Sequence, residues 1–197
     1  MLKSLQVAAA VATLLLAPVH ATAQGTASTQ PITAEERAAL TPSRNILEKG
    51  WDVANTACAD CHGLDGLSTA PGIPHLAGQR MVYLHRVLLS YQQRERRNDD
   101  MNHAIGFLNE DAILAVAAFY ASLTPPSPQP RDEGWMESAQ ETGRDPFATI
   151  RDDMKKCVKC HGEDGNASGS GMPNLTAQDP AYFVQSMQAY RSGERGH

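Results

Sequence analysis

The chain has 197 residues, of which 42% are hydrophobic, 6% are aromatic and 20% are charged, and its formal net charge is −5. This length suffices for one medium domain or two small ones. The aromatic content is low for a small domain that must form its hydrophobic core from side chains alone. The acidic balance argues against nucleic acid as a partner.

The N-terminal segment predicts a secretory signal peptide over residues 1–23. Lys3 supplies the positive start, an apolar run extends from Leu5 to Ala17, and Ala21-Thr22-Ala23 offers a small-x-small cleavage pattern. The alternative, a retained membrane helix, is disfavoured because the run is shorter than the roughly 20 apolar residues that span a bilayer. We therefore expect cleavage near Ala23, no membrane span in the mature chain, and a periplasmic location.

A first domain is predicted over residues 24–123, and its fold class is all-α. Ser43 is placed to cap a helix that runs to the first cysteine. A second helix is predicted from Met81 to Gln93, and a third starts at Asn109 and runs to Leu123, before two prolines. No segment alternates convincingly as a strand.

Two C-x-x-C-H motifs hold all four cysteines: Cys58, Cys61 and His62, then Cys157, Cys160 and His161. This is the attachment motif of c-type haem, in which both thiols form thioethers to the porphyrin and the histidine binds iron. A redox dithiol is one alternative, but it lacks a βαβ context. A four-cysteine zinc site must join distant pairs and gives the histidines no role, and disulfides remain open in an exported chain. We expect two covalently attached haem c groups.

The two motifs lie in an internal repeat with an offset of 99 residues and no gap. From Cys58 to Asn98, 14 of the 41 residues are identical to those one period later, which predicts two copies of one module. Residues 124–141 begin with four prolines among polar residues and predict a stiff, extended linker, with a surface loop inside one domain as the alternative. The second domain then spans residues 142–197.

Met101 is the predicted sixth ligand of the first iron. It follows a charged run and is expected in a loop before the next helix, where an apolar sulfur is hard to explain by packing. Met81 fits a helical apolar pattern and is expected in the core. His75 and His103 remain alternatives, although His75 stands opposite Asn174 in the repeat.

The second domain is expected to be incomplete at its C-terminus. The counterpart of Met101 falls at position 200, beyond His197, and the helix over 109–123 has no second copy. A natural short form is the alternative; its second iron would be open to small ligands, which favours a haem enzyme. Lys155, Lys156 and Lys159 surround the second motif and form either a basic rim for an acidic redox partner or a solvated helix face.

The loops Gly72-Ile73-Pro74-His75-Leu76 and Gly171-Met172-Pro173-Asn174-Leu175 complete a pattern that resembles class I cytochromes c: C-x-x-C-H, then G-x-P-x-L, then a later Met. The gapless duplication, with its L-A-G-Q and R-R-N-D-D-M segments, looks like the diheme cytochrome c4 family. The cytochrome subunit of flavocytochrome c sulfide dehydrogenase is similar by the same marks.

This resemblance implies two tandem class I cytochrome c domains. It also implies that the carbonyls of Pro74 and Pro173 accept the Nδ1–H of His62 and His161, which fixes the tautomer and orientation of each ligand; turn geometry alone is the alternative. Two tyrosines, Tyr83 and Tyr182, are candidates to reach haem propionates, or else to pack between helices.

The implied function is that of an electron carrier rather than an enzyme. It would shuttle single electrons from a redox protein donor to an acceptor, towards a terminal oxidase. The alternative is the electron-accepting cytochrome subunit of a flavoprotein sulfide dehydrogenase complex.

Overall fold

The computed structural model describes residues 30–128, 151–166, 169 and 171–195. The predicted signal peptide and most of the predicted linker lie outside the described residues, and only the start of the linker, residues 124–128, lies within them. The described residues contain helices and no strand, so the all-α prediction is confirmed.

Six helices form the first module within residues 30–128: α1 Ala34–Ala39, α2 Arg44–Ala57, α3 Ala59–His62, α4 Met81–Gln92, α5 Asp99–Ile105 and α6 Glu110–Ser122. Helix α6 is central, because it packs against both α2 and α4 and most of its side chains are buried. A Cβ at Gly50 would lie 2.2 Å from the carbonyl oxygen of Ala115, so α2 and α6 meet at a distance that only glycine permits.

The predicted helix starts of this module are confirmed by their caps. The hydroxyl of Ser43 accepts a hydrogen bond from the N–H of Ile46 at 3.4 Å, and the side chain of Asn109 accepts one from Ala112 at 2.9 Å. The helix predicted from Met81 ends one residue earlier than expected, at Gln92. The side chains of Ser43 and Asn109 each satisfy an N–H group of the first turn that has no partner inside its helix.

The loop predicted around Met101 is wrong, because Met101 lies inside helix α5. The side chain of Asn98 accepts a hydrogen bond from the N–H of Met101 at 2.9 Å and so caps the helix. Asp99 and Asp100 occupy the first turn, where carboxylates interact favourably with the helix dipole. Part of the charged run is therefore a helix start.

Helix α1 is fixed to α4 by a buried ion pair. Glu36 is 1% exposed, and its two carboxylate oxygens each accept a 2.8 Å hydrogen bond from the guanidinium group of Arg86. His85 lies 3.1 Å from the same carboxylate. Arg86 also donates to the carbonyl oxygens of Gln30 and Pro31 at 2.9 Å, so one side chain holds the segment before α1 as well.

The described part of the second module contains α7 Arg151–His161 and α8 Pro180–Ser192. Helix α8 is the repeat copy of α4, but its apolar side chains are exposed: Phe183 by 38% and Met187 by 50%. The counterpart of Phe183 is Leu84, which is only 6% exposed because α4 packs against α6. Among the described residues, no single helix is long and apolar enough to cross a membrane; α5 and α6 meet that criterion only as a pair bent by 113°.

Candidate functional site

The first motif lies where α2 passes into the one-turn helix α3. Cys58 ends α2 and precedes α3, while Cys61 and His62 lie within α3. The Nδ1 atom of His62 is 3.0 Å from the carbonyl oxygen of Pro74, and His62 is 7% exposed. Since a carbonyl only accepts, Nδ1 carries the proton and Nε2 keeps its lone pair for a metal. Burial lowers the pKa of His62, against the opposing effect of this hydrogen bond, and so favours the neutral form that binds metals.

The second motif repeats this geometry at the end of α7. The Nδ1 atom of His161 is also 3.0 Å from a proline carbonyl oxygen, that of Pro173. The following loops have the same turns, since the N–H of Leu76 donates to Gly66 at 2.8 Å and that of Leu175 to Gly165 at 2.7 Å. The sequence repeat is therefore also a repeat of backbone structure around each histidine.

Glycine is required where each of these loops turns. Gly66 and Gly165 have φ values of +74° and +75°, in the left-handed region. At Gly66 a Cβ would also lie 2.6 Å from the backbone nitrogen of Ala77, so a larger residue is excluded by contact as well as by conformation. Both glycines belong to the set of repeat identities.

The four thiols are free in the structure; Cys58 is half-buried, and Cys61, Cys157 and Cys160 are exposed. Burial, with a smaller effect of Cys61, raises the pKa of the Cys58 thiol to about 11. Within the described ranges, no three His, Cys, Asp or Glu side chains lie close enough together to hold a metal ion by themselves.

These residues fit a haem c. Each motif offers two thiols within four residues and one imidazole whose Nδ1 is held by a carbonyl. Leu64 and Leu76 lie partly buried against the core cluster of the first module and supply apolar surroundings. Met101 is half-buried in α5, which packs against α4, and its role as sixth ligand stays a prediction.

Tyr120 holds the first motif from the side of α6. Its hydroxyl donates a 3.1 Å hydrogen bond to the carbonyl oxygen of Gly63, the residue that follows His62. Tyr120 is 2% exposed and belongs to the core cluster. The helix that covers the module therefore also fixes the end of the haem motif, a role that the apolar pattern of α6 did not reveal.

The two modules contact each other through residues at equivalent repeat positions. Arg96 donates to the hydroxyl of Tyr182 at 3.0 Å, and its counterpart Arg195 donates to that of Tyr83 at 2.9 Å. Burial raises the pKa of Tyr83. Burial acts in the same direction on Tyr182, but Arg96 and Arg195 outweigh it and lower the pKa of that tyrosine to about 8. Both tyrosines thus have protein partners at the module contact, and contact with propionates stays a prediction.

Glutamine side chains form a second reciprocal pair. Gln79 bonds to the backbone of Asn174, and its counterpart Gln178 bonds to the backbone of His75. Gln79 and Gln178 are one of the identical pairs of the sequence repeat. Their common retention in both copies was the available signal, although it did not indicate that each one reaches the other module.

The basic rim predicted on α7 is partly neutralised. Lys155 pairs with Asp152 at 2.7 Å and Lys156 with Asp153 at 2.9 Å, both within the helix and both exposed. Exposed pairs of this kind contribute little to stability, but they reduce the net positive field of the helix. This arrangement favours the solvated-face alternative for these two lysines.

Comparisons with known proteins agree with this geometry. The chain is 31% identical to cytochrome c4 of Thiocapsa roseopersicina over 161 residues, which cover 81% of this chain and 82% of that protein. It is 31% identical over 151 residues to the thiosulfate dehydrogenase electron acceptor of Stutzerimonas stutzeri, covering 74% and 68%. It is 30% identical over 116 residues to the cytochrome subunit of sulfide dehydrogenase of Chlorobaculum tepidum, covering 58% and 94%.

Among solved structures, reduced recombinant cytochrome c4 from Pseudomonas stutzeri superposes with a TM-score of 0.63 at 24% identity. The match covers 76% of this chain and 82% of that one, and it supports the fold assignment. No family model matches the chain.

Proposed function

Because the chain belongs to the cytochrome c4 family of diheme c-type cytochromes, we propose that it shuttles single electrons between redox proteins in the periplasm. Its cofactors are two haem c groups. The proposal is supported above all by the duplicated hydrogen bond of 3.0 Å from a motif histidine to a proline carbonyl. Such a bond orients an iron ligand and strengthens its basicity.

The proposed roles of the residues follow from their places in the fold. Cys58 and Cys61 attach the first haem, and Cys157 and Cys160 attach the second. His62 and His161 bind the irons through Nε2, while the carbonyls of Pro74 and Pro173 hold the Nδ1 proton. Met101 is the proposed sixth ligand in the first module. When bound, each haem supplies an iron that alternates between Fe(II) and Fe(III).

The proposed direction of transfer is towards a terminal oxidase. A methionine opposite a histidine raises the reduction potential of a haem, which suits an electron donor to an oxidase. The residues of this chain then bind and orient the prosthetic groups and set their exposure, and none transfers a proton to a substrate.

A second candidate function is that of electron acceptor for a dehydrogenase of reduced sulfur compounds. The names of two relatives support it: one is a thiosulfate dehydrogenase electron acceptor and another is a cytochrome subunit of sulfide dehydrogenase. In that case a dehydrogenase on a separate chain, for example a flavoprotein, carries out the oxidation. This chain would then take the electrons away.

The test starts from protein exported with haem-maturation machinery. A pyridine haemochrome assay should give two covalent haems per chain, and the variant Cys157→Ser/Cys160→Ser should retain one. Stopped-flow absorbance then measures oxidation of the reduced protein by a purified haem–copper oxidase, and reduction of the oxidised protein by a thiosulfate or sulfide dehydrogenase. Fast oxidation by the oxidase supports the shuttle, whereas copurification and fast reduction with a dehydrogenase support the second candidate. Fewer than two covalent haems in the unsubstituted chain would contradict both.

A further inference from the structure

Each proline loop that holds a motif histidine is bonded to a glutamine of the other module. Gln178 accepts from the N–H of His75 at 2.7 Å and donates to the carbonyl oxygen of His75 at 3.0 Å. Gln79 accepts from the N–H of Asn174 at 2.7 Å and donates to its carbonyl oxygen at 2.9 Å. One side-chain amide thus pairs with both backbone polar groups of one residue, as a neighbouring strand would.

The two glutamines are themselves held in place. The side-chain oxygen of Gln79 also accepts from the N–H of Arg80 at 2.9 Å, and that of Gln178 accepts from Asp179 at 2.9 Å. Gln79 is 7% exposed. Each amide is therefore pre-oriented by its own module before it meets the other, and little side-chain freedom is left to lose in the contact.

The residue that each glutamine binds shares a peptide unit with the histidine's acceptor. The carbonyl of Pro74 and the N–H of His75 belong to one planar amide, and so do the carbonyl of Pro173 and the N–H of Asn174. The described chain has no cis peptide bond, so the two groups of each amide point in opposite directions. A hydrogen-bond chain therefore runs from the imidazole through one amide to a glutamine of the other module.

Hydrogen bonds in such a chain strengthen one another. When the amide N–H donates to the glutamine oxygen, the amide is polarised and its carbonyl becomes a better acceptor for the imidazole Nδ1–H. A stronger acceptor gives the imidazole more electron density and makes it a more basic ligand, which stabilises the oxidised iron. Loss of the glutamine weakens this effect and also leaves a half-buried backbone N–H without its partner.

We infer that Gln178 and Gln79 are positioning residues, each tuning the iron-binding histidine of the module to which it does not belong. Gln178 acts on His62, and Gln79 acts on His161. This inference rests on the proposed ligation of iron by these two histidines. The reduction potential of each haem then depends on the presence of the other module, through glutamine side chains that do not contact the histidine ligands directly.

The test uses the full chain with both haems and the near-isosteric, uncharged variants Gln79→Met and Gln178→Met. Reduction is titrated while hyperfine-shifted haem methyl signals, assigned to each module by NMR, report each haem separately. In Gln79→Met, we expect the haem attached to Cys157 and Cys160 to become easier to reduce, by three-fold to ten-fold in its reduction equilibrium. A ten-fold change corresponds to about 59 mV for one electron. Gln178→Met should shift the other haem by a similar factor.

Gln92→Met is the matched control. Gln92 donates a 2.6 Å hydrogen bond to the carbonyl oxygen of Leu108, so its described contact lies within the first module. Its loss should leave the haem of the second module unshifted. If Gln79→Met does not yield protein with two haems, Gln79→Asn is used instead, which keeps the amide on a shorter side chain. The shift of the haem in the second module is then compared between Gln79→Asn and Gln92→Met.

A shift confined to the haem of the substituted module, equal shifts of both haems, or no shift would each overturn the inference. Nitrogen-15 spectra of the same protein with both haems give a second readout besides the reduction equilibrium: exchange of the Nδ1–H of His161 with solvent should accelerate in Gln79→Met and stay unchanged in Gln92→Met. A haem count below two in the unsubstituted chain would instead reject the proposed function. The two failures are thus distinguishable.

Discussion

The buried carboxylate of Glu36 makes the stability of the first module dependent on pH. Burial alone would raise the pKa of Glu36, but hydrogen bonds from Arg86, the backbone of Thr33 and His85 lower it from 4.5 to about 2. Because the folded state holds this carboxylate ionised, its contribution is complete above about pH 5 and is lost as pH falls from about 4.5 towards 2. The variant Glu36→Gln keeps the shape of the side chain and removes the charge.

The magnitude follows from the two pKa values. A ten-fold change in an acid dissociation constant is about 1.4 kcal/mol, so a fall from 4.5 to about 2 stabilises the folded state by about 3 kcal/mol at neutral pH. Since the amide in this variant resembles the protonated acid, we expect Glu36→Gln to be less stable than the unsubstituted protein by about 3 kcal/mol at pH 7. At pH 3 we expect less than half of that difference to remain.

Urea unfolding of the protein with both haems, followed by circular dichroism at pH 7, 5 and 3, measures this difference. The control is Glu48→Gln, which removes an exposed carboxylate from α2 and should change stability by less than about 0.5 kcal/mol at each pH. Other carboxylates with lowered pKa values act equally on both proteins and cancel in the comparison. A difference between the unsubstituted protein and Glu36→Gln that stays constant from pH 7 to pH 3 would refute the electrostatic argument.

Three further predictions concern the first module. Gly66→Ala should destabilise the protein by about 2–4 kcal/mol in thermal unfolding, because an alanine is strained at a φ of +74° and its Cβ would also be too close to the backbone of Ala77. Gly193→Ala is the comparison: its φ is +80° but the space around it is open, so the substitution should cost about 1 kcal/mol. Tyr120→Phe loses the hydrogen bond to Gly63 and should cost about 1 kcal/mol in urea unfolding, with no change in haem count. Met101→Leu should open the first iron, so the reduced variant should bind one more carbon monoxide per chain than the unsubstituted protein in an optical titration; equal binding would remove Met101 as a ligand.

Local signals predicted three of the six helices described in the first module, namely α2, α4 and α6. Ser43 and Asn109 mark helix starts because a short polar side chain can satisfy the free N–H groups of a first turn. The same chemistry is present at Asn98, followed by two aspartates, although the charged run to which these residues belong predicts a loop. The position of Met101 in a helix was therefore predictable from the sequence, and the cap was the neglected signal.

The contacts between distant segments were not predictable in the same way. Arg86 meets Glu36 from 50 residues away, and Gln178 meets His75 from 103 residues away. Neither pair has a local pattern, since each depends on how helices or modules pack. The repeat did indicate which positions are shared by both copies, and several of these lie at the module contact. It could not distinguish residues kept for the internal structure of a module from residues kept for its partner.

The reciprocal contact between the modules has the geometry of a symmetric homodimer held within one polypeptide. Such an isologous contact closes on itself, and the covalent connection replaces a concentration-dependent association by a high effective concentration. A true homodimer must carry the same side chain on both sides of its axis. Here Arg80 donates to Asn174, while its counterpart Asp179 accepts from the N–H of Gly72. Within one polypeptide the two halves can therefore carry different side chains at equivalent positions, while the shared contacts keep them aligned.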